Sequence, residues 1–352
     1  MGPHPAVADV RHAVRACLAG LSPGDTVLAA CSGGPDSLAL AAAVAFEAPR
    51  AGLLARGITI DHGLQPGSAD QAARVTAVLN RLGLSPVLSV AVTVARPGHA
   101  DGYPGPEAAA RSARYAALDE AAERAGAWIA LGHTLDDQAE TVLLGLARGS
   151  GARSLAGMAP VCGRYLRPLL GIRRAQTMAA CAAEGLQPWS DPHNVDPAYA
   201  RARVRRLMPA LADALGPGVT LALARTADLL RADADALDAL AAVEAGQLGG
   251  TAAAQSDGWP AAALAGLPEA IRHRLLRSAA LDTGCPAGAL SQRHIISLDE
   301  LVTGWHGQRW TDLPGGVRCL RRYGRLLFTK AGAAGVAPGL AQAGGSGGRP
   351  PS

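Results

Sequence analysis

The chain has 352 residues, 49% hydrophobic and 18% charged, which is enough apolar content for a catalytic-sized core and too little charge for a disordered chain. The net charge of +4 names no partner by itself. The six cysteines (Cys17, Cys31, Cys162, Cys181, Cys285, Cys319) form no CxxC pair, which argues against a zinc site or a redox dithiol. Every basic residue except Lys330 is arginine. Guanidinium pairs with phosphate in a planar, bidentate way, but biased codon usage yields the same composition, so only clustering carries weight.

Asp9, Arg11 and Arg15 interrupt any apolar leader, and Leu38 to Phe46 is too short to span a bilayer, so a soluble, cytoplasmic protein with no membrane partner is expected. Val7 to Ala19 has helical periodicity. Thr26 to Cys31 reads as a buried strand, Ser32 to Ser37 as a glycine-rich turn and Leu38 to Phe46 as a helix. Leu53 to Ile60 is a second strand ending at Asp61-His62. Ser68 to Leu82 is a helix, and Pro86 to Val94 a third strand. Pro106 to Ala125 is a helix with Pro at its entry and Gly126 at its exit. Trp128 to Gly132 is a fourth strand, and Leu135 to Ala147 the helix after it.

Strands alternating with helices predict an α/β fold with a doubly wound, mostly parallel sheet, Rossmann-like in layout. Ligands then sit at the carboxyl ends of the strands, where Ser32–Ser37, Asp61-His62 and His133–Glu140 all fall. After Gly149-Ser150-Gly151 come a helix near Arg173 to Glu184 and the segment Trp189 to Tyr199. Leu211 to Ala245 reads as one long bridging helix and Gly249 to Gly258 as the linker. The division expected is a catalytic domain over 1–215, a helical linker over 216–257, a small C-terminal domain over 258–330 and a disordered tail over 331–352. The tail is rich in Gly, Ala and Pro.

Ser32-Gly33-Gly34-Pro35-Asp36-Ser37 follows a strand and opens a helix. Its glycines let the backbone approach an anion, amides at the helix start point toward it, and Asp36 can reach a Mg²⁺ bridging phosphate oxygens. The segment is neither a Walker A loop nor GxGxxG. It resembles the PP-loop signature SGGxDS of ATP pyrophosphatases, which implies ATP cleaved between its α and β phosphates.

Downstream, His133, Asp136, Asp137 and Glu140 lie around one helix start. Asp137 and Glu140 are three apart and share a face. Acids there also serve as plain caps, yet three carboxylates and a histidine exceed what capping requires. The stretch resembles the HxxDDxxET signature of tRNA(Ile)-lysidine synthetases. The likeness continues through Arg148–Gly151 and Leu155–Met158, and upstream in the ExxARxxRY-like helix Glu107–Tyr115. Arg167–Leu170, Asp191-Pro192 with Asn194, Arg201, Arg203, Arg205 and Pro209 follow the same order. It covers roughly residues 25 to 215 and, more weakly, Leu313 to Leu327. Departures are Ala202 for an asparagine, His193 for a small hydroxyl residue and Gly105 for an asparagine.

The resemblance implies a two-step reaction. ATP adenylates the carbonyl oxygen at carbon 2 of the first-anticodon-position cytidine of tRNA(Ile) with a CAU anticodon. Free lysine then displaces AMP. It assigns ATP to Ser32, Gly33, Gly34, Pro35, Asp36, Ser37, His133, Arg201 and Arg205, and Mg²⁺ to Asp36 and Asp137. Asp137 and Glu140 would hold the lysine amine and take its proton, and Arg111 and Arg114 would steady the cytidine or the AMP. A solvated basic face is the alternative for those two arginines, and for the stretches Arg201–Arg206, Arg272–Arg277 and Arg318–Arg325, whose other reading is tRNA contact. A tRNA thiolase of the same loop class is the nearest rival. Assembly is left open, a homo-oligomer included.

Overall fold

The computed structural model describes residues 2–61, 63, 67–94, 106–149, 151–189, 196 and 198–330. Expectations placed on His62, the Glu107 side chain, Gly105, Ser150, Asp191 to Asn194 and the 331–352 tail lie outside the described residues. The chain divides into two compact units, Met1–Ala232 and Asp233–Ser352. Among the described residues no single helix is long and apolar enough to cross a membrane.

The first unit opens with α1 (Pro5–Leu18), β1 (Thr26–Ala30), α2 (Pro35–Glu47), β2 (Leu54–Asp61), α3 (Ser68–Arg81) and β3 (Val87–Ala91). It continues through α4 (Pro106–Ala125), β4 (Ala127–Ala130), α5 (Leu135–Ala147), α6 (Ala152–Leu155), β5 (Val161–Cys162), β6 (Tyr165–Leu166) and α7 (Arg174–Ala183). The strands form one sheet in the order β3-β2-β1-β4-β6-β5, parallel except for β5. The expected doubly wound, mostly parallel sheet is therefore present. The pair β5–β6 extends it by two strands too short to show an apolar pattern in the sequence.

Alternation along β1 explains the two layers. Val27 and Ala29 pack with α1, α2 and α7, joined by Val75 and Leu79 of α3. Leu28 points the other way, onto Leu118 and Ala122 of α4 with Ile58 and Ile129 beside it. Every β1 residue is thus committed to a core, as a central parallel strand requires.

Up to Gln247, three sequence expectations are corrected. Helix α2 begins at Pro35, not Leu38, because proline's fixed φ suits the first helical position. Asp36 and Ser37 therefore sit in its first turn. The strand expected over 86–94 is confined to Val87–Ala91. The long helix expected from 211 to 245 is two helices, α8 (Ala200–Leu215) and α9 (Val219–Gln247), broken at Gly216-Pro217-Gly218. Gly216 has φ 98° there, and Pro217 lacks the amide a continuing helix needs.

The second unit holds α10 (Gly250–Ser256), β7 (Trp259–Pro260), α11 (Ala261–Ala265), α12 (Glu269–Asp282), α13 (Gln292–Thr303), β8 (Trp310–Leu313), β9 (Val317–Arg322) and β10 (Arg325–Lys330). Its sheet runs β7-β10-β9-β8, with antiparallel pairs throughout. The core gathers Trp259, Phe328, Leu326 and Cys319 against Leu264, Leu275, Leu298 and Leu301. The stretch 249–258, expected as a linker, forms α10 and buries Ala254 in this core.

Candidate active site

The carboxyl ends of β1 and β4 face a cavity of 1410 Å³ in the first unit. Ser32, Gly34, Pro35, Asp36 and Ser37 line it from the β1–α2 loop, His133 and Asp137 from the β4–α5 junction, Arg114 from α4 and Arg201 and Arg205 from α8. The sequence-assigned groups, separated by up to 173 positions, therefore share one space. Gly33 is set behind the loop and Glu140 deeper, against a second cavity of 260 Å³. Arg111 lies outside the large cavity, its Nη2 donating to Tyr115 Oη at 3.2 Å and its guanidinium 4.8 Å from that ring.

Hydrogen bonds across the loop fix its shape. Ser37 Oγ accepts from Ser32 N at 3.2 Å and donates to Gly34 O at 3.0 Å. Trp189 N donates to Gly33 O at 2.8 Å, tying the loop to the segment after α7. Gly33 has φ +85°, and a Cβ there would lie 2.7 Å from Gln71 Nε2 and 2.9 Å from Val75 Cγ2. Only glycine suits that position. At Gly132 the constraint is a backbone neighbour: a Cβ would stand 3.0 Å from the carbonyl carbon and oxygen of Asp36.

The carboxylates are held by cations that the sequence reading only partly found. Arg174, at the start of α7, reaches Asp36 Oδ2 through Nε at 3.2 Å and Asp137 Oδ1 through Nη2 at 2.9 Å. Its Nη1 stands 3.5 Å from Glu140 Oε1, and its backbone amide donates to Asp136 Oδ2 at 2.8 Å. Thr177, one turn on, donates to Asp36 Oδ1. Arg205 clasps Glu140 in a bidentate pair at 2.9 and 3.2 Å. Glu140 is only 2% exposed. In this structure it is a buried ion-pair partner of Arg205 and Arg174.

Asp137 also closes a capping box. Its Oδ2 accepts from Thr134 N at 2.8 Å and from Thr134 Oγ1 at 3.0 Å. The capping alternative and the site assignment thus describe the same residue, one oxygen serving each.

Burial raises the Asp36 carboxyl above the usual range, against the pull of Thr177 and Arg174. Burial would raise Asp137 too, but the charge of Arg174 and the Thr134 hydrogen bonds outweigh it and leave its pKa lowered. Burial would lower the Arg174 guanidinium, yet Asp137, Asp36 and Glu140 together raise it. His133 is pushed down to about 3, chiefly by burial and by the nearby arginines against the pull of Asp137, so its ring is neutral. Its Nδ1 is buried with no hydrogen-bond partner among the described residues.

Sequence reasoning missed Arg174 and Thr177. A signal existed: an arginine in the first turn lies at the unfavourable end of the helix dipole, so it needs a reason to be there. That reason is the carboxylate cluster.

No group of three or more His, Cys, Asp or Glu suited to a metal occurs among the described residues. Asp36 and Asp137 nonetheless meet on the Nε–Nη2 edge of one guanidinium, and two hard carboxylates brought together beside a phosphate loop are a donor set that suits Mg²⁺.

Comparison with known proteins agrees with this layout. A PP-loop domain model matches residues 8–211, and a TilS substrate binding domain model matches residues 260–327. The chain is 58% identical over 330 residues to a tRNA(Ile)-lysidine synthase of Thermobifida fusca, covering 93% of this chain and 99% of that one. It is 53% identical over 360 residues to one of Streptomyces coelicolor, with the same coverage. Among solved structures, the U34-tRNA thiolase NcsA of Methanococcus maripaludis with its 4Fe-4S cluster superposes with a TM-score of 0.53 at 18% identity. That match covers 64% of this chain and 80% of the thiolase, and is a likeness of fold alone.

Proposed function

From the premise that this chain belongs to the tRNA(Ile)-lysidine synthase family, we propose how its site divides the work of the reaction. The protein is an ATP-dependent ligase that forms lysidine on tRNA(Ile). The chemistry has two parts. The carbonyl oxygen at carbon 2 of the first-anticodon-position cytidine attacks the α-phosphorus of ATP and pyrophosphate leaves. The ε-amine of free lysine then attacks carbon 2, loses a proton and expels AMP.

The observation that carries the reading is the convergence of the Ser32–Ser37 loop, Asp36, Asp137, Arg174 and Arg205 on one cavity. The loop amides and the hydroxyls of Ser32 and Ser37 bind the triphosphate at the start of α2. Arg201 and Arg205, one turn apart on α8 and both facing the cavity, meet the charge that grows on departing pyrophosphate. Asp36 and Asp137 would hold Mg²⁺, whose chemistry would be to offset the phosphate charge. Arg114 lies on the cavity wall and steadies the cytidine or the AMP; Arg111, outside it, donates to Tyr115 Oη.

Lysine brings an ammonium group that must be bound and deprotonated. Asp137 lines the larger cavity and Glu140 the smaller, already balanced by Arg174 and Arg205. The incoming ammonium therefore enters by sharing carboxylate oxygens with those guanidiniums. Neutral His133, on the wall of the same cavity, meets the bound nucleotide without adding charge.

The thiolase alternative meets a chemical obstacle. Cys31 and Cys181 flank the loop, but both are buried. Burial raises both thiols, that of Cys181 to about 12, so neither is a thiolate at neutral pH.

The deciding experiment incubates the protein with labelled lysine, ATP, Mg²⁺ and tRNA transcripts. Label entering only the isoleucine transcript with a CAU anticodon is the expected result. Label in other transcripts, or sulfur transfer in place of lysine transfer, would sink the reading.

A further inference from the structure

The sheet of the second unit has two faces of opposite character. Leu313, Val317, Cys319, Leu326 and Phe328 are buried in its core. Because strand residues alternate, their neighbours point to the other face. There Trp310 stands opposite Leu320, and Leu320 opposite Leu327, so the three form one apolar row across β8, β9 and β10. Trp310 is 47% exposed, and both leucines are half-buried.

Arginines border this row on both sides. Arg318 holds Asp312 through Nε at 2.6 Å and lies 5.2 Å from the Trp310 ring centre. On the other side Arg322 stands opposite Arg325 in the strand register, and Arg325 Nε donates to the carbonyls of Asp257 and Gly258 at 2.8 and 3.0 Å, which leaves exposed Arg322 as the cation of that edge. Tyr323, in the turn joining β9 to β10, is 87% exposed with Arg322 4.9 Å from its ring.

We propose that this face is a platform for the RNA substrate, on which an unpaired base stacks against Trp310 while Arg318 and Arg322 hold the flanking phosphates. An aromatic on an apolar floor with cations on both sides matches the alternating base and phosphate of a nucleic acid strand. A second copy of the chain would bring the same positive rim and be repelled. The inference rests on the tRNA substrate assigned above and assigns its contact within residues 260–327 to one face of one sheet.

The test uses the full chain and a tRNA(Ile) transcript with a CAU anticodon. Trp310→Ala should weaken transcript binding about tenfold or more, with Trp310→Phe restoring most of the loss. Arg322→Ala should lower the slope of log affinity against log salt by about 0.7–0.9. ATP affinity and the melting profile should be unchanged in all three, since both side chains lie at the surface. Unaltered transcript affinity in a Trp310→Ala/Arg322→Ala double variant overturns the platform. So does a change of oligomeric state at sedimentation equilibrium with tRNA affinity intact, which would give the face to a second copy. The two readings fail separately. Wild-type protein that makes no lysidine sinks the assigned reaction, whereas lysidine made by variants with undiminished tRNA affinity sinks the platform alone.

Discussion

Arg174 serves three carboxylates at once, a task that depends on shape as well as charge. Lysine at this position would keep the charge but present a single compact ammonium in place of a planar fork. Arg174→Lys is therefore expected to lower the rate of pyrophosphate release at saturating ATP by about a hundredfold, the scale of losing one aligned charge contact. Single-turnover release measurements check this, and a rate within threefold of wild type would remove Arg174 from the machinery. Glu140→Ala separates the two halves of the reaction. It leaves the phosphate loop intact and frees Arg205, so lysine use should fall further than adenylation. Comparing pyrophosphate release without lysine against label incorporation decides it, and equal losses would refute the division of labour.

At the level of elements, the end of β4 is pressed on the first turn of α2. Gly132→Ala puts a methyl group 3.0 Å from backbone atoms that cannot rotate away. The strand end and the loop must separate, at a cost of about 1–3 kcal/mol for overpacking. ATP affinity measured by calorimetry should fall with it, and unchanged affinity and stability would show that the junction yields freely. In the second unit, α12 and α13 are joined by a bidentate pair between Arg272 and Asp299, with Arg272 only 7% exposed. Burial alone would raise Asp299, but the Arg272 hydrogen bond and charge lower it below the ordinary carboxylate value. A lowered folded pKa contributes stability that is present above the unfolded value of about 3.9 and lost as pH falls through the folded one. Asp299→Asn should cost about 3 kcal/mol at neutral pH by leaving Arg272 without its counter-charge. Its deficit relative to wild type should shrink below about pH 4, as the wild-type carboxylate also becomes neutral. Urea titrations at several pH values test this, and a deficit constant down to pH 3 would contradict the assignment.

For the whole molecule, the two units give ATP an unequal influence. The triphosphate loop belongs to the first unit, so ATP with Mg²⁺ at a hundred times its dissociation constant should stabilise that unit by about 2.7 kcal/mol. A melting transition carried by the second unit should not move. Calorimetric scans with and without ATP distinguish the two, and equal shifts in both would show ATP bound elsewhere or the units melting as one.

The α/β order, the phosphate loop and the acidic helix start were legible in the sequence because each depends on neighbours within a few positions: glycines that free the backbone, apolar runs that alternate with helical periodicity, carboxylates at helical spacing. Arg201 and Arg205 entered only through the family resemblance, and the helix α8 that carries them had no reading of its own. The break between α8 and α9 at Gly216-Pro217-Gly218 was missed, because alanine-rich periodicity on both sides outweighed the local glycine–proline signal. What only the tertiary structure decided was the electrical state of the site. Asp36, Asp137 and Glu140 acquire their balance from Arg174 and Arg205, 138 positions from Asp36 in the first case and 65 from Glu140 in the second. It also decided which sheet face of the second unit was left to solvent, since strand alternation offers two faces and only packing by the helices chooses between them. Charge pairing and burial act through space, and a linear pattern records neither.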